Sequence, residues 1–346
     1  MKPVLVLKVG TAAITSYSGE MDEEIVREIC RQSAELQKRY HLILVSSGAV
    51  GLGKKFMTHF LGKLGDRKAA ASIGNPILIG RYANHFHKYG ISVAQALCER
   101  HHFSNRAQFL QLRETFEELW KNNVLPVVNE NDVVSNREIK FSDNDELATL
   151  LAVGFSAEKL LLGTVQEGLL DDTTLVREIH TFDEHIFSCV KEERSEFGLG
   201  GMLSKLHCAR LATNFGVATI IFDIRKEGNV LLAEKFETGT VCKAQACNIS
   251  AHQKWMASGS LSTGKVIVDE GARKALQDRK SLLLVGVIGV EGDFEKRDIL
   301  KICTKDAFGN TEVFAVARAK ISSRVIREMQ GGKGVEVAHA DEIVLF

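Results

Sequence analysis

Short runs of apolar residues, many of them β-branched, alternate with longer amphipathic segments through the first two thirds of the chain. Continuous apolar runs of this length are typical of buried strands, and their alternation with helical segments is typical of α/β proteins. The predicted strands are VLVLKVG at 4–10, HLILVSSGA at 41–49, ISVAQAL at 91–97, VLPVVNEND at 124–132, KLLLGTV at 159–165 and ATIIFD at 218–223. The pattern therefore predicts an open, mainly parallel sheet sandwiched by helices.

The segment between the first two predicted strands, residues 22–40, has the periodicity of an amphipathic helix. Ile25, Ile29 and Leu36 recur at helical spacing, and acidic residues open the segment, as the positive end of a helix dipole favours. A strand, a helix and a second strand in succession indicate a crossover that pairs the two strands in parallel.

The alternation ends near Asp223, and the chain turns polar and irregular over residues 238–262. Beyond this segment, short strand-like runs are separated by Gly, Asp and Asn turns, which is the pattern of a small β-rich barrel. The length of 346 residues also favours two domains over one. We predict a first domain at 1–245, a linker at 246–261 and a β-rich C-terminal domain at 262–346.

The charge balance of the chain points to no particular partner. Lysine and arginine total 44 residues, as do aspartate and glutamate, so the net charge indicates neither a nucleic-acid nor a membrane partner. The start, MKPVLVLKVG, is too short for a signal peptide and is interrupted by Lys8, and no run reaches the roughly 18 apolar residues of a membrane span. These observations predict a cytoplasmic protein without a membrane segment.

The cysteines are scattered along the chain and form no CxxC pair. This spacing favours reduced thiols in structural positions over a disulfide framework or a zinc site. The seven positions are 30, 98, 189, 208, 242, 247 and 303.

Polar residues follow several predicted strands at the point where each strand ends. Ligands of open parallel sheets bind beyond the carboxyl ends of the strands, so these residues are the first candidates for a site. They are Lys8, Gly10 and Thr11 after the first strand, Ser46, Ser47, Gly48 and Ala49 after the second, Asn129, Glu130, Asn131 and Asp132 after the fourth, and Gly163 and Thr164 after the fifth.

Lys8 lies within a strand that otherwise consists of valine and leucine. An ammonium group is costly to bury unless a counter-charge meets it. Its partner is either a phosphate group or a structural carboxylate, and the strand alone leaves both open. The SSGAVGLG turn after the second strand offers backbone N–H groups and hydroxyls at a helix start, which is a natural anion cradle.

Two acidic turns, NEND and FSDNDELATLLA, place carboxylates and a carboxamide near the end of the fourth strand. These side chains, Asp132, Asp143, Asn144 and Asp145, either form solvated loops or gather at the site. Gathered there, they could orient lysines, receive an amino group or approach a metal-bound nucleotide. Asp143 or Asp145 would also cap a helix that starts in DELATLLAVGF.

The stretch FGLGGMLSKL brings a glycine cluster, Lys205 and the start of a helical pattern together. A flexible loop is one interpretation. The other is a phosphate site, because glycines at a helix N-terminus let phosphate approach closely and Lys205 could neutralise the charge of a transferring phosphoryl group. The chain has no GxxxxGK[ST] motif and no kinase HRD and DFG set, so a nucleotide site here needs another phosphotransferase design.

Five motifs together, in this order and spacing, resemble those of the glutamate 5-kinases of the amino-acid kinase family. The motifs are KVGT, VSSGAVGLG, PVVNENDVV, SDNDELA and GLGGMLSKL. The resemblance covers essentially the whole chain, and the tail from residue 262 resembles the PUA domain that follows many bacterial members.

The resemblance implies phosphorylation of the γ-carboxylate of L-glutamate by ATP and Mg²⁺, which is the first step of proline biosynthesis. It also implies a homo-oligomer that proline inhibits. The implied catalytic residues are Lys8, Lys205 and Asp145. The implied glutamate-binding residues are Ser47, Gly48, Ala49, Asp132 and Asn144. The implied nucleotide-binding residues are Lys8, Gly10, Thr164, Val165, Gly200, Gly201, Met202 and Lys205. The protein itself would supply no metal ligand, because Mg²⁺ arrives with the nucleotide.

One segment departs from the family pattern. Where the family usually has Thr-Asp-Gln and a Gly-Leu-Tyr turn, this chain has Thr164, Val165, Gln166 and then Glu167-Gly168-Leu169-Leu170. The usual aspartate is missing, and the following loop, LLDDTTLVRE at 169–178, looks shortened. The departure concerns the stretch that resembles the adenine and ribose site.

Two other interpretations stay open at this point. A sister kinase acting on acetylglutamate, aspartate or carbamate would share the fold and the lysines but should lack the paired NEND and SDND turns and the tail. A second alternative is an RNA-binding or regulatory protein with an idle kinase domain. Residues 262–346 hold 14 Lys/Arg and 13 Asp/Glu, without the basic excess that binding to a phosphate backbone favours.

Overall fold

The computed structural model describes most of the chain. The described residues are 2–15, 20–99, 101–134, 144–190, 201–245, 264–294, 296, 298–305, 311–329 and 334–345. The chain divides into two compact units, Met1–Glu99 with Gln111–Cys247, and Arg100–Leu110 with Asn248–Phe346. The predicted linker at 246–261 lies outside the described residues, and the predicted domain boundaries stay predictions.

The first unit is built on one large sheet. Its described strands are β1 (Val4–Val9), β2 (His41–Ser46), β3 (Ser92–Cys98), β4 (Val124–Glu130), β5 (Lys159–Thr164), β6 (Leu170–Asp171), β7 (Thr174–Leu175), β8 (Glu178–Ile179), β9 (Ala218–Asp223) and β10 (Thr240–Cys242). The sheet has the order β3-β4-β2-β1-β5-β9-β10-β8, while β6 and β7 form a separate antiparallel hairpin. The sheet pairs are parallel except for β9 and β10, so the predicted mainly parallel sheet is confirmed.

Most helices that precede the tail belong to the first unit, whereas Arg100–Leu110 falls within the second. In the described part they are α1 (Thr11–Ile14), α2 (Glu23–Gln37), α3 (Ala49–Lys54), α4 (Leu64–His87), α5 (His101–Ser104), α6 (Arg106–Lys121), α7 (Asn144–Gly154), α8 (Glu184–Ser188), α9 (Met202–Asn214) and α10 (Asn229–Glu234). The helix predicted at 22–40 is α2. Its first turn is capped by the Asp22 carboxylate, which accepts hydrogen bonds from the backbone N–H groups of Glu24 and Ile25.

β1 lies at the centre of the sheet, between β2 and β5. Leu5, Val6, Leu7 and Val9 are fully buried because helices cover both faces, and this explains why the strand has no polar–apolar alternation. Ile29 and Leu36 on α2 belong to the same core as Leu5 and Leu7. The apolar runs of the sequence therefore mark the buried centre of the molecule.

Two glycines allow α3 and α4 to pack with their backbones almost in contact. A methyl group at Gly53 would lie 1.8 Å from the carbonyl oxygen of Ala70, and one at Gly74 would lie 1.7 Å from the carbonyl oxygen of Ala49. Such distances are shorter than any non-bonded contact, so only glycine fits at these two positions. The crossing fixes the start of α3, which immediately follows the turn after β2.

At the amino-terminal edge of the sheet, Lys159 is held in a buried polar cluster. Its Nζ lies 3.0 Å from Glu234 Oε1 and donates to the Tyr40 hydroxyl at 3.0 Å. The Tyr40 hydroxyl donates to Glu234 Oε1 at 2.6 Å, and Arg39 Nη2 donates to Glu234 Oε2 at 2.9 Å. This cluster joins β5, the end of α2 and α10 at the edge opposite to the carboxyl ends of the strands.

The second unit is rich in strands, as predicted for the tail. Its described strands are β11 (Gly264–Val268), β12 (Leu282–Leu283), β13 (Val287–Gly292), β14 (Ile299–Lys305), β15 (Thr311–Arg318), β16 (Glu336–Ala338) and β17 (Ile343–Leu345). Five of them form a sheet with the order β13-β11-β14-β15-β17, and β12 pairs with β16. Val266, Leu300, Ile302 and Ala315 contribute to a core of this unit's own.

The tail also contains helices that its sequence pattern did not predict. They are α11 (Glu270–Gln277), α12 (Ser323–Glu328) and the 3-10 turns Leu284–Gly286 and Ala340–Glu342. Asp269 caps α11 by accepting a hydrogen bond from Ala272 N–H, and Ser322 caps α12 in the same way, with Val325 N–H as the donor. Among the described residues of both units, no helix combines the length and apolar character that a membrane crossing requires.

Candidate active site

The carboxyl ends of β2, β1 and β5 lie side by side because these strands are parallel neighbours. Lys8 is the fifth residue of β1 and pairs in register with Val45 of β2 and Leu162 of β5. The turn after β2 begins with Ser47, and β5 ends at Thr164. The topology therefore brings residues predicted from separate motifs to one edge of the sheet, where ligands of such sheets bind.

Lys8, Asp145 and Lys205 form a buried ion-pair cluster at this edge. Lys8 Nζ lies 2.5 Å from Asp145 Oδ1, and Lys205 Nζ donates a hydrogen bond to Asp145 Oδ2 at 2.9 Å. The exposed fractions are 6% for Lys8, 0% for Asp145 and 5% for Lys205. Of the two partners left open for Lys8, the described residues supply the carboxylate.

The two lysines keep Asp145 ionised. Burial alone would raise its pKa, but the positive charges of Lys8 and Lys205 and their hydrogen bonds outweigh burial and hold the pKa below its ordinary value. Two ammonium groups and one carboxylate carry a formal net charge of +1. A cluster with this charge is suited to receive an anionic group such as phosphate.

A chain of side-chain amides lies beside this cluster. Asn144 Nδ2 donates to Ser47 Oγ at 2.6 Å and to Asn129 Oδ1 at 2.9 Å. Asn129 Nδ2 in turn donates to Asn75 Oδ1 at 3.0 Å. Within the described structure, Asn144 Oδ1 and Asn75 Nδ2 are buried without a hydrogen-bond partner. Buried polar atoms are rarely left in this state, so these two are candidates to contact a ligand.

Gly48 shapes the turn after β2, and Tyr82 contacts the serine at which β2 ends. Gly48 has a φ of +113°, which favours glycine, and it precedes the first residue of α3, the buried Ala49. Ser46 Oγ and the hydroxyl of Tyr82, a fully buried residue of α4, lie 2.8 Å apart. These contacts set the direction in which Ser47 leaves the strand.

Two glycines lie next to Lys8. A methyl group at Gly10 would lie 3.4 Å from Lys8 Nζ, close to ordinary van der Waals contact. A methyl group at Gly163 would lie 2.8 Å from the Lys8 carbonyl oxygen and 2.6 Å from Ile224 Cδ1. Gly163 therefore allows β1 and β5 to pair next to Lys8.

The residues predicted to hold the nucleotide lie on the neighbouring segments. Thr164 ends β5, and its carbonyl oxygen accepts a hydrogen bond from Ile224 N–H at 3.0 Å. The half-buried Val165 accepts one from Arg225 Nη2 at 3.2 Å. Gly201 immediately precedes α9, Met202 is its first residue, and Lys205 lies in its first turn, whereas Gly200 lies outside the described residues.

The acidic turns divide between described and undescribed residues. Asp132 is half-buried in the turn after β4, and Asp143 lies outside the described residues. Of the two residues predicted to cap the following helix, Asp143 stays a prediction and Asp145 is not the cap. α7 begins one residue earlier, at Asn144, and the Asp145 carboxylate points to the two lysines because their charges bind it more strongly than backbone N–H groups would.

Sequence reasoning missed Asn75 and Tyr82, both on α4. Each is a polar residue at a buried position of a helix, 3% and 0% exposed. The sequence gives one signal, which is a carboxamide in the otherwise small and apolar stretch ASIGNPILIG, but it does not show which strand end the carboxamide faces.

Comparison with known proteins gives matches to both units. A sequence model of the amino acid kinase family matches residues 3–223, and one of the PUA domain matches residues 264–340. The glutamate 5-kinase of Kosmotoga olearia is 35% identical over 87% of this chain and 85% of its own length. The glutamate 5-kinase of Dehalococcoides mccartyi is 34% identical over 99% of this chain and 98% of its own length. The glutamate 5-kinase of Methylococcus capsulatus is 36% identical over 88% of this chain and 84% of its own length.

Proposed function

Since the chain belongs to the amino acid kinase family, among the glutamate 5-kinases, we propose that it transfers the γ-phosphoryl group of ATP to the γ-carboxylate of L-glutamate. The product is γ-glutamyl phosphate. The observation that carries this proposal is the buried Lys8–Asp145–Lys205 cluster at the carboxyl edge of the sheet. The cluster lies at the edge where ligands of parallel sheets bind, and its formal net positive charge suits a phosphoryl group.

The chemical step needs positioning and charge neutralisation more than proton transfer. The γ-carboxylate of glutamate is already ionised at neutral pH, so one of its oxygens attacks phosphorus directly while the bond to the β-phosphate oxygen breaks. Lys8 and Lys205 would neutralise the charge on the transferring group and on the departing ADP. Asp145 would hold both ammonium groups in place, and its lowered pKa makes it a poor proton acceptor.

Glutamate would bind on the amide side of the cluster. The unpartnered Asn144 Oδ1 is an acceptor suited to the α-ammonium group, and Asp132 would add a negative charge nearby. Ser47 and the N–H groups of the Gly48–Ala49 turn are donors suited to a carboxylate. The Ser47–Asn144 hydrogen bond couples the two halves of this subsite.

ATP would lie along the segments after β5 and before α9. Lys8, Gly10, Gly200, Gly201 and Lys205 would surround its phosphates, and Thr164, Val165 and Met202 would lie nearer to the nucleoside. Mg²⁺ supplies charge neutralisation on the phosphate oxygens when it is bound. Both Asp145 oxygens already contact lysines, so we propose that the ion is held by the phosphates and water and by no carboxylate of this cluster.

Several broader properties belong to the same proposal. γ-Glutamyl phosphate formation is the first step of proline biosynthesis, which fits a cytoplasmic enzyme supplied with ATP. We also propose a homo-oligomer with proline as its feedback inhibitor. The missing aspartate before Gln166 makes the nucleotide the substrate whose selectivity most needs direct measurement.

Hydroxylamine trapping tests the proposed reaction and its acceptor together. Hydroxylamine converts an acyl phosphate to a stable hydroxamate, so the full chain is incubated with ATP, Mg²⁺, hydroxylamine and one of glutamate, acetylglutamate, aspartate or no acceptor. We expect hydroxamate with glutamate and background signal with the other three. Product with acetylglutamate or aspartate instead would identify a sister kinase. No product with any acceptor, when the assay is repeated with the other nucleoside triphosphates, would favour the idle kinase domain.

A further inference from the structure

A group of three potential metal ligands lies in the first unit, on elements that the kinase proposal does not use. Asp171 belongs to the β6–β7 hairpin, His185 to α8, and Cys189 is the residue directly after α8. His185 and Cys189 are four residues apart and therefore lie on the same face of the helix. The hairpin brings Asp171 to that face.

The three side chains are close enough to share one ion. Each residue offers one ligand atom, and the three atoms lie within 4.8 Å of one another. They are an aspartate oxygen, an imidazole nitrogen and the cysteine sulfur. His185 Nε2 lies 3.7 Å from Asp171 Oδ2. Ligands about 2.0–2.3 Å from a tetrahedral zinc ion are roughly 3.5 Å apart, so small side-chain rotations would complete the geometry.

We propose that Asp171, His185 and Cys189 bind a zinc ion, with water as the fourth ligand. The assignment departs from the expectation that all the cysteines are structural thiols. Asp172, the next residue along the hairpin, adds a second carboxylate near Cys189. Asp171 and His185 are exposed, so the ion has access from solvent without an opening step.

The ligand set selects zinc over the magnesium that ATP carries. A thiolate and an imidazole are softer ligands than the oxygens that Mg²⁺ and Ca²⁺ prefer. Zinc tolerates a mixed set of one sulfur, one nitrogen and one oxygen atom in tetrahedral geometry. Because two of the ligands are exposed, we expect weaker binding than at enclosed sites with four protein ligands.

Occupancy of this site would connect the hairpin to the helix that carries Lys205. Phe187 of α8 stacks on His207 of α9 with ring centroids 5.0 Å apart, and the Arg210 guanidinium lies 5.4 Å from the Phe187 ring centroid. α8 is therefore already attached to α9, and a bound ion would attach the β6–β7 hairpin to α8. Since the folded site binds the metal, zinc should also raise the thermal midpoint of the protein.

The test titrates the metal-free, nucleotide-free full chain with Co²⁺, whose thiolate complexes absorb light, and then displaces Co²⁺ with Zn²⁺. Binding is compared among the wild type and the variants Cys189→Ser, His185→Gln and Asp171→Asn. Cys208→Ser and His180→Gln are the matched controls, because Cys208 is a half-buried thiol on α9 and His180 is an exposed imidazole 3.2 Å from a Glu178 oxygen. Circular dichroism verifies that each variant is folded.

We expect one equivalent of metal with a thiolate absorption band in the wild type and in both controls. Cys189→Ser should lose the band, and His185→Gln and Asp171→Asn should weaken affinity at least about tenfold. A band that survives in Cys189→Ser, equal loss in Cys208→Ser, or no stoichiometric binding by the wild type would overturn the proposal. The titration contains no ATP or glutamate, so its outcome is independent of the proposed kinase activity.

Discussion

Asp145 shows how a single residue can organise a site drawn from three distant parts of the chain. Its two carboxylate oxygens contact different lysines, one from β1 and one from α9, and the carboxyl group is fully buried. Because the folded-state pKa is lowered, ionised Asp145 contributes stability above the ordinary carboxyl range and loses it only as pH falls through the lowered value. Asp145 should therefore stay ionised across neutral pH.

Among single residues of the site, Asn144 offers a second test, because Asn144→Ala should weaken glutamate binding more than it slows turnover. The change removes the unpartnered Oδ1 and the hydrogen bonds to Ser47 and Asn129. We expect KM for glutamate to rise about tenfold or more, with a much smaller change in KM for ATP. Asn122→Ala, at the exposed end of α6, is the control and should leave both constants unchanged. Unchanged glutamate saturation in Asn144→Ala would remove this residue from the subsite.

Individual site residues differ in how far the sequence predicts them. Lys8 could be recognised because a charge inside an apolar strand demands a partner, and Lys205 because it follows a glycine cluster at a helix start. Asn75 and Tyr82 could not, since a polar residue within a helix faces either solvent or the core, and the choice depends on tertiary packing. Asp145 contacts both lysines, and as the second residue of α7 it does not cap that helix.

At the scale of elements, the α3–α4 crossing supports the turn that carries Ser47. The backbones meet at Gly53 and Gly74, so the position of α3 is set by contact distances that leave no room for a side chain. Because α3 begins at Ala49, its position also determines where the preceding residues 47 and 48 lie. The glycines in VSSGAVGLG thus serve helix packing as well as the anion cradle that the sequence predicted.

Gly53→Ala should destabilise the protein strongly, while Gly51→Ala on the same helix should not. The new methyl group at residue 53 would collide with the Ala70 carbonyl, whereas no atom lies within 4 Å of one at residue 51. We expect a loss of about 1–3 kcal/mol or more for Gly53→Ala and a gain of up to about 1 kcal/mol for Gly51→Ala. Thermal unfolding of both variants checks this, and equal midpoints would contradict the close crossing.

Element types followed the sequence where segments were long and uniform. Each of the six predicted strands of the first unit is present, as is the helix at 22–40, because buried strands and amphipathic helices of this length have distinct periodicities. In the tail, α11 and α12 were missed because each is a short helix between strands, with too few turns for a helical period to stand out. The β6–β7 hairpin was missed because each of its strands has only two residues. Its turn contains Asp172, with a φ of +53°.

At the scale of the molecule, the two ends of the large sheet serve different purposes. The carboxyl edge gathers Lys8, Asp145 and Lys205, and the amino edge gathers Lys159 and Glu234. Both clusters pair buried lysine with carboxylate, so burial of charge alone does not mark the active site. Position relative to the strand direction does, since the parallel arrangement directs the strand ends and the following turns to one edge.

The two clusters allow a direct test of whether the carboxyl-edge lysines take part in phosphoryl transfer to glutamate. Lys205→Met and Lys159→Met each remove one ammonium group from a buried ion pair, and kcat of the folded fraction is measured for both. We expect both variants to lose thermal stability, but only Lys205→Met to lose kcat, by about 100-fold or more. A near-normal kcat in Lys205→Met, or an equal fall in both variants, would contradict the role of Lys205 in phosphoryl transfer.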